Sequence, residues 1–147
     1  MTNKISGQQP FLEKLGISSL NPMQISANES IQQNNKVILL SNTGSGKTIA
    51  FLTSLLGSLK TDISYTQAMI VVPSRELALQ IEDVLKKMQT GFKITACYGG
   101  HKREIEENNL VEPPTILVAT PGRLGDHIRR KNVDLSKVHF LVLDEFD

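Results

Sequence analysis

One run of six residues has the types and order needed to bind the phosphates of a nucleotide: Thr43-Gly44-Ser45-Gly46-Lys47-Thr48. The glycines let the backbone curl, so that successive N–H groups point inward at phosphate oxygens. Lys47 would reach the β- and γ-phosphates, and the Thr48 hydroxyl would coordinate Mg²⁺. The strict pattern has glycine at position 41, where this chain has Ser41. We predict a phosphate-binding loop formed by Ser41, Asn42, Thr43, Gly44, Ser45, Gly46, Lys47 and Thr48.

An acidic pair, Asp144-Glu145, follows an apolar run near the carboxyl end of the sequence. Alone, such a pair would be interpreted as a solvated turn. Beside a phosphate-binding loop it indicates metal-assisted hydrolysis, in which the aspartate holds Mg²⁺ through water and the glutamate orients the attacking water. We therefore expect Lys47, Asp144 and Glu145 to be catalytic, with Thr48 and Asp144 at the metal.

Regular elements must position these residues. Apolar runs that do not alternate with polar residues are typical of parallel strands buried on both faces, and five occur, at residues 37–40, 69–72, 94–98, 116–119 and 140–143. A spacing near 3.6 predicts helices at about residues 47–59, 77–88, 102–110 and 121–131. We expect the second helix to be capped by Gly91. The alternation predicts an α/β fold with a mostly parallel sheet flanked by helices on both faces.

Every predicted strand is followed directly by an unusual polar or glycine-rich segment. The phosphate-binding loop follows the first strand and the acidic pair follows the last. The other three segments are Pro73-Ser74-Arg75, Gly99-Gly100 and Thr120-Pro121-Gly122-Arg123. Ligands bind outside the carboxyl ends of the strands in open α/β sheets. We therefore expect all five segments to converge on one edge.

In this order the segments resemble the motifs of the DEAD-box RNA helicases. The likeness rests on PSRELALQ at residues 73–80, YGG at 98–100, ATPGRL at 119–124 and DE-x-D at 144–147, together with a Q-motif-like stretch at 15–24. It covers nearly the whole chain from about Phe11. The resemblance implies that residues 1–147 are the N-terminal RecA-like ATP-binding domain of an ATP-dependent RNA helicase. That domain would be incomplete at its C-terminus, with the second RecA-like domain absent.

The resemblance also implies roles for individual residues. Gln24 would bind adenine, the phosphate-binding loop would bind ATP, and Mg²⁺ would be the second cofactor. RNA would be held by its backbone, independently of sequence, by Pro73, Ser74, Arg75, Gly99, Gly100, Thr120, Pro121, Gly122 and Arg123. Phe146 stands where the family usually has alanine. We expect its ring to pack into the core at the sheet edge.

The residues themselves support the RNA assignment without excluding a simpler one. Thr120 and Ser74 are good helix N-caps, so two helix starts would offer free N–H groups beside Arg75 and Arg123. The alternative is that these are ordinary caps and turns, with the arginines in salt bridges. His101, His127 and His139 are dispersed and share no ligand spacing, which favours surface or hydrogen-bonded structural positions over catalysis.

Composition limits the protein class. The net charge is +1, there is one cysteine, Cys97, and no apolar run could span a bilayer. The first ten residues do not form a signal peptide, so we expect a cytoplasmic domain without membrane contact. An arginine finger from a second domain contributes about 10³–10⁵ in rate, so this chain alone should be nearly inactive. A non-enzymatic nucleotide- or RNA-binding module and a superfamily 2 DNA translocase remain alternatives.

Overall fold

The structure is a computed structural model that describes residues 7–146. Residues 1–6, which belong to the segment examined for a signal peptide, and Asp147, the last residue of DE-x-D, lie outside the described residues. The chain divides into two compact units, Met1–Ser58 and Leu59–Asp147. Within residues 7–146 no helix is long and apolar enough to cross a membrane.

The first unit contains three helices, α1 Gln9–Glu13, α2 Pro22–Gln33 and α3 Lys47–Ser58. Helix α2 begins at Pro22, whose fixed φ suits a first helical turn, and the Asn21 side chain caps it by accepting from the Gln24 N–H at 2.9 Å. Helices α2 and α3 pack against each other. Buried Asn28 joins them, since its Nδ2 donates to the carbonyls of Gln24 at 2.8 Å and Ala50 at 3.2 Å.

The predicted strand at residues 37–40 is wrong. None of the strand pairings among the described residues includes it, and Ile38 and Leu40 are 73% and 85% exposed. An apolar run becomes a strand only where a neighbour completes its backbone hydrogen bonds. The run precedes the phosphate-binding loop here as an unpaired segment, so that loop does not follow a strand.

The second unit is built on a four-stranded sheet whose strands are all parallel. The strands are β1 Ala68–Val71, β2 Ile94–Cys97, β3 Ile116–Ala119 and β4 Phe140–Leu143, in the order β2-β3-β1-β4. The other four strand predictions are therefore confirmed to within a residue. Their register pairs Val71 with both Ala119 and Leu143, so the carboxyl ends of β1, β3 and β4 are level.

Both faces of the central strands are covered. Every residue of β3 is buried, which explains its uninterrupted apolar sequence. One apolar cluster on the sheet contains Cys97, Leu110, Leu117 and Ala119, with Leu124 packed against it. Residues that alternate with these along the strands, such as Ile70 and Val118, are also fully buried. The exposed part of the sheet is β4, where Leu141 and Leu143 are about half exposed.

Three helices connect the strands of the second unit: α4 Arg75–Lys87, α5 Arg103–Leu110 and α6 Pro121–Arg129. The predicted cap of α4 at Gly91 is wrong, because Met88 caps the helix and Gln89 already adopts a left-handed φ of 51°. Helix α6 likewise ends before its predicted boundary, and Lys131 has a φ of 58°. Helix α4 packs on β2 and β3, and α5 packs on β2.

Candidate functional site

The predicted phosphate-binding loop has the backbone form that the sequence indicates. Gly44 and Gly46 have φ values of 81° and 90°, which glycine adopts without the strain that a Cβ would bring. The first intrahelical bond of α3 runs from the Ala50 N–H to the Gly46 carbonyl at 3.1 Å. The N–H groups of Lys47 and Thr48 precede it, so they have no partner within the helix. The loop therefore presents donors at a helix start, which suits an anion.

Side chains of the loop bind the loop itself. The Lys47 ammonium donates to the Ser41 carbonyl at 2.6 Å, and the Ser41 hydroxyl donates to the Ser45 hydroxyl at 2.7 Å. Both serines are therefore engaged in holding the curve of the loop. Lys47 lies at the loop where a phosphate-binding lysine is expected, with its charge hydrogen-bonded to a neutral carbonyl.

Gln24 is brought to the phosphate-binding loop. Its side-chain Nε2 donates to the Gly46 carbonyl at 3.2 Å, and its Oε1 accepts from the Asn21 N–H at 2.8 Å. The Asn21 side chain in turn donates to the Ser45 carbonyl at 3.2 Å. Gln24 is only 6% exposed. These bonds tie the start of α2 to the loop, and the proposed role of Gln24 in binding adenine stays a prediction.

The carboxyl edge of the sheet carries the other four segments, as expected. The Asp144 N–H donates to the Val71 carbonyl at 3.0 Å, and the Thr120 N–H donates to the Cys97 carbonyl at 3.0 Å. These bonds place the segments after β4 and β3 beside the ends of β1 and β2. The convergence is therefore confirmed within the second unit, whereas the phosphate-binding loop belongs to the first.

The acidic segment departs from regular backbone at its second residue. Glu145 has a φ of 50°, a left-handed conformation that costs a non-glycine residue about 1–2 kcal/mol. Its side chain is exposed, and Asp144 is partly buried. The expected core position of Phe146 is wrong: its side chain is 68% exposed because it lies beyond the last paired residue of β4.

Arg75 and the Gly99-Gly100 turn lie together. The Arg75 guanidinium is 5.5 Å from the centroid of the Tyr98 ring, and the Tyr98 and His101 rings stack at 5.0 Å. A Cβ added at Gly100 would lie 3.2 Å from Arg75 Nη1, and the Gly100 φ of 84° is one that residues with a Cβ rarely adopt. This stacked aromatic pair was not anticipated from the sequence, although Tyr98 and His101 flank the Gly-Gly turn.

A buried carboxylate, Glu106, joins the turn to helix α6. Its oxygens accept from the Tyr98 N–H, His101 Nδ1 and Arg123 Nη1 at 3.0 Å each, and from His127 Nε2 at 2.8 Å. Burial alone would raise the pKa of Glu106, but these four hydrogen bonds outweigh it and hold the pKa below its ordinary value. We call Glu106 and these four partners the Glu106 hub.

The tautomer of the His127 ring follows from its two hydrogen-bond partners. The Asn132 amide donates to His127 Nδ1 at 3.0 Å, which makes Nδ1 an acceptor and leaves the proton on Nε2, where it is donated to Glu106. His127 is 1% exposed. The expectation of a hydrogen-bonded structural histidine is therefore confirmed for this residue.

Sequence reasoning missed Glu106. From residue type alone, the apolar neighbour Ile105 would be expected in the core and Glu106 in solvent. In the structure Ile105 is 44% exposed and Glu106 is fully buried. The available signal was its place on the same helical face as buried Leu110, a spacing of one helical turn.

The buried group formed by Cys97, Glu106 and His127 does not fit a metal ion. Cys97, Glu106 and His127 offer ligand atoms within 4.8 Å of one another. However, the two Glu106 oxygens already accept two hydrogen bonds each, and His127 Nε2 is one of the donors, so neither side chain has a free lone pair directed at a metal. The Arg123 guanidinium already supplies the positive charge beside Glu106. The predicted Mg²⁺ ligands, the Thr48 hydroxyl and the Asp144 carboxylate, are hard oxygen donors of the kind that Mg²⁺ prefers, and their role at a metal stays a prediction.

Comparison with known proteins gives consistent matches. A family model described as DEAD/DEAH box helicase matches residues 21–147. The ATP-dependent RNA helicase DeaD of Haemophilus influenzae is 37% identical over 158 residues, covering 100% of this chain and 26% of the relative. The ATP-dependent RNA helicase DeaD of Escherichia coli K12 is 37% identical over 139 residues, covering 92% of this chain and 22% of that relative. The chain thus spans about a quarter of the length of the curated relatives it matches.

A solved structure agrees with these matches. The crystal structure of a hypothetical ATP-dependent RNA helicase from Sulfolobus tokodaii is similar with a TM-score of 0.77 and 26% sequence identity. The similarity covers 97% of this chain and 41% of that one. The parallel sheet with its helices therefore has the RecA-like architecture that the sequence predicts.

Proposed function

Since the chain belongs to the DEAD/DEAH box helicase family, we propose that it is the ATP-binding part of an ATP-dependent RNA helicase. The observation that carries the proposal is the bond between the Gln24 amide and the Gly46 carbonyl. It holds the Gln24 amide against the predicted phosphate-binding loop, and after the bonds to the Gly46 carbonyl and the Asn21 N–H the amide retains one N–H and one lone pair of Oε1. A nucleotide whose phosphates lie on the loop would then present its base near Gln24, and adenine has the matching pair of groups.

The nucleotide would be held mainly by backbone donors. In this proposal residues 41–48 bind the phosphates of ATP, and the Lys47 ammonium exchanges the Ser41 carbonyl for the β- and γ-phosphates. The Thr48 hydroxyl would hold Mg²⁺ directly and the Asp144 carboxylate would hold it through water, and the ion when bound would neutralise charge on the phosphates. Glu145 would orient the water that attacks the γ-phosphate.

RNA would be bound at the carboxyl edge of the second unit. The proposed residues are Pro73, Ser74, Arg75, Gly99, Gly100, Thr120, Pro121, Gly122 and Arg123. Backbone N–H groups at the start of α6 and the exposed charge of Arg75 can bind phosphates without reading bases. Binding should therefore be independent of sequence and sensitive to salt.

The intact protein would do more than this chain. We propose that its relatives' remaining length corresponds to a second RecA-like domain, which would complete the ATPase site and the RNA track for duplex unwinding. The chain alone should hydrolyse ATP poorly, because an arginine finger contributes about 10³–10⁵ in rate. A cytoplasmic location stays a prediction.

A matched pair of oligonucleotides tests the choice of nucleic acid. We expect oligouridine to bind the chain more tightly than oligodeoxyuridine of the same length, because only RNA offers the 2′-hydroxyl. The measurement is fluorescence anisotropy in the presence of Mg²⁺ and a non-hydrolysable ATP analogue. Equal or tighter DNA binding would favour a DNA translocase. If the chain binds the ATP analogue but neither oligonucleotide, the result would favour a nucleotide-binding module that does not act on RNA.

A further inference from the structure

The Glu106 hub contains a buried ion pair, Glu106 with Arg123, whose carboxylate makes hydrogen bonds through both of its oxygens. Glu106 is fully buried, and the Arg123 side chain is 16% exposed. Burying such a pair costs several kcal/mol per ion unless hydrogen bonds satisfy the remaining atoms. Here both carboxylate oxygens accept two bonds each. A buried ion pair contributes little net stability by itself, so we consider which segments this one holds in place.

The hub fixes two segments relative to each other. The Tyr98 N–H and His101 Nδ1 bring in the Gly99-Gly100 turn, while Arg123 and His127 bring in helix α6. Arg123 Nη1 also donates to the His101 carbonyl at 3.0 Å, so the Arg123 side chain is hydrogen-bonded directly to the turn. Both segments belong to the proposed RNA-binding edge.

The hub also separates the roles of the two arginines. The Arg123 charge is already matched by Glu106, and its guanidinium is turned inward. Arg75 is exposed, and its guanidinium lies over the Tyr98 ring at the same edge. What α6 offers at this edge is its backbone: the first intrahelical bond is from the Leu124 N–H to Thr120, so the N–H groups of Gly122 and Arg123 precede it.

We propose that Glu106 and Arg123 are positioning residues that hold the Gly99-Gly100 turn and the start of α6 at a fixed spacing for the RNA backbone. Arg75 supplies the charge that the RNA neutralises, whereas the Arg123 side chain contacts no phosphate. This inference rests on the proposed RNA-binding function. The sequence predicts that the Arg123 side chain binds RNA directly. Here the side chain instead holds the turn and the start of α6 in position, and only the Arg123 backbone N–H is offered to RNA.

The salt dependence of RNA binding distinguishes a brace from a ligand. For single strands, log affinity falls with log salt by about 0.7 for each phosphate neutralised. Glu106→Gln and Arg123→Met should each weaken oligouridine binding by about two- to thirtyfold at every salt concentration and leave the slope unchanged. Arg75→Ala should reduce the slope by about 0.7.

Matched variants control for general effects. Glu104→Gln removes an exposed carboxylate from the same helix as Glu106, and Lys86→Ala removes an exposed charge from the same helix as Arg75. Neither should change RNA affinity appreciably. The Glu106→Gln/Arg123→Met double variant should bind RNA no more weakly than the weaker single variant, because both act through one contact. Affinity for ADP should stay at the wild-type value in every variant.

The measurement is a fluorescence titration of the chain with labelled oligouridine at a series of salt concentrations. A slope reduced by about 0.7 in Arg123→Met would overturn the inference, since the guanidinium would then contact phosphate. Wild-type RNA affinity in folded Glu106→Gln would also overturn it. If Glu106→Gln does not fold, the slope of Arg123→Met decides. Absence of RNA binding by the wild-type chain would reject the proposed function and this inference together, whereas failure of the variants alone rejects only the inference.

Discussion

At the scale of single residues, Gly46 meets two separate structural requirements. Its φ of 90° is one that residues with a Cβ rarely adopt, and a Cβ at this position would collide with the Gln24 amide nitrogen. Gly44 meets only the first requirement, because its φ is 81° and nothing lies within 4 Å of its Cβ position. The two glycines of the loop are therefore not equivalent.

Alanine at these two positions should reveal the difference. Gly44→Ala should cost about 1–2 kcal/mol through backbone strain, whereas Gly46→Ala should cost more because Gln24 must also move. The measurement is the free energy of unfolding in urea. Adding Gln24→Ala to Gly46→Ala should recover part of the loss. Equal losses for the two single variants, with no recovery, would show that the Gln24 contact does not constrain the loop.

At the scale of elements, the sequence predicts the parallel strands well for a physical reason. Strands such as β3 are buried on both faces, so they leave continuous apolar runs bounded by polar turns. Residues 37–40 carry the same kind of run and form no strand among the described residues. An apolar run shows that a segment has side chains suited to burial. Whether the segment forms a strand also depends on a hydrogen-bonded neighbouring strand, which a single sequence does not reveal.

The candidate site divides in the same way. Glycines, the loop lysine and helix caps are local features, and the structure has Ser74 as the cap of α4, with its hydroxyl accepting from the Leu77 N–H at 3.3 Å. The Glu106 hub joins residues that are far apart in the sequence. From the sequence alone, Glu106 would therefore be interpreted as a solvated residue of a short helix. Thr120 also begins a helix as expected, but its side chain makes no capping bond.

Acid should weaken the hub that holds α5 to the turn and α6. The pKa of Glu106 is lowered below its ordinary 4.5, so its contribution to stability is fully present above pH 4.5 and is lost as the pH falls through the folded-state pKa. The difference in unfolding free energy between wild type and Glu106→Gln should therefore shrink as pH decreases below 4.5. Urea unfolding over a pH series measures it, with Glu104→Gln as the control for removing an exposed carboxylate from α5. A difference that stays constant with pH would contradict this account.

At the scale of the whole molecule, each unit contributes a different part of the proposed activity. The first unit holds the proposed phosphate-binding loop together with Gln24, and the second holds the acidic pair and the proposed RNA edge. Nucleotide binding through backbone donors and Lys47 needs only the first of these sets. The ability to bind ADP is therefore the most basic property that the account requires of this chain.

Isothermal titration calorimetry with Mg²⁺ and ADP tests that property most directly. The wild-type chain should bind ADP. Lys47→Ala should lose about 2–5 kcal/mol of binding free energy, because a phosphate loses its charged partner. Lys36→Ala, an exposed lysine of the same unit, is the matched control and should bind like wild type. Equal ADP affinity for wild type and Lys47→Ala, or no binding by wild type, would contradict the assignment of this chain as the ATP-binding part of a helicase.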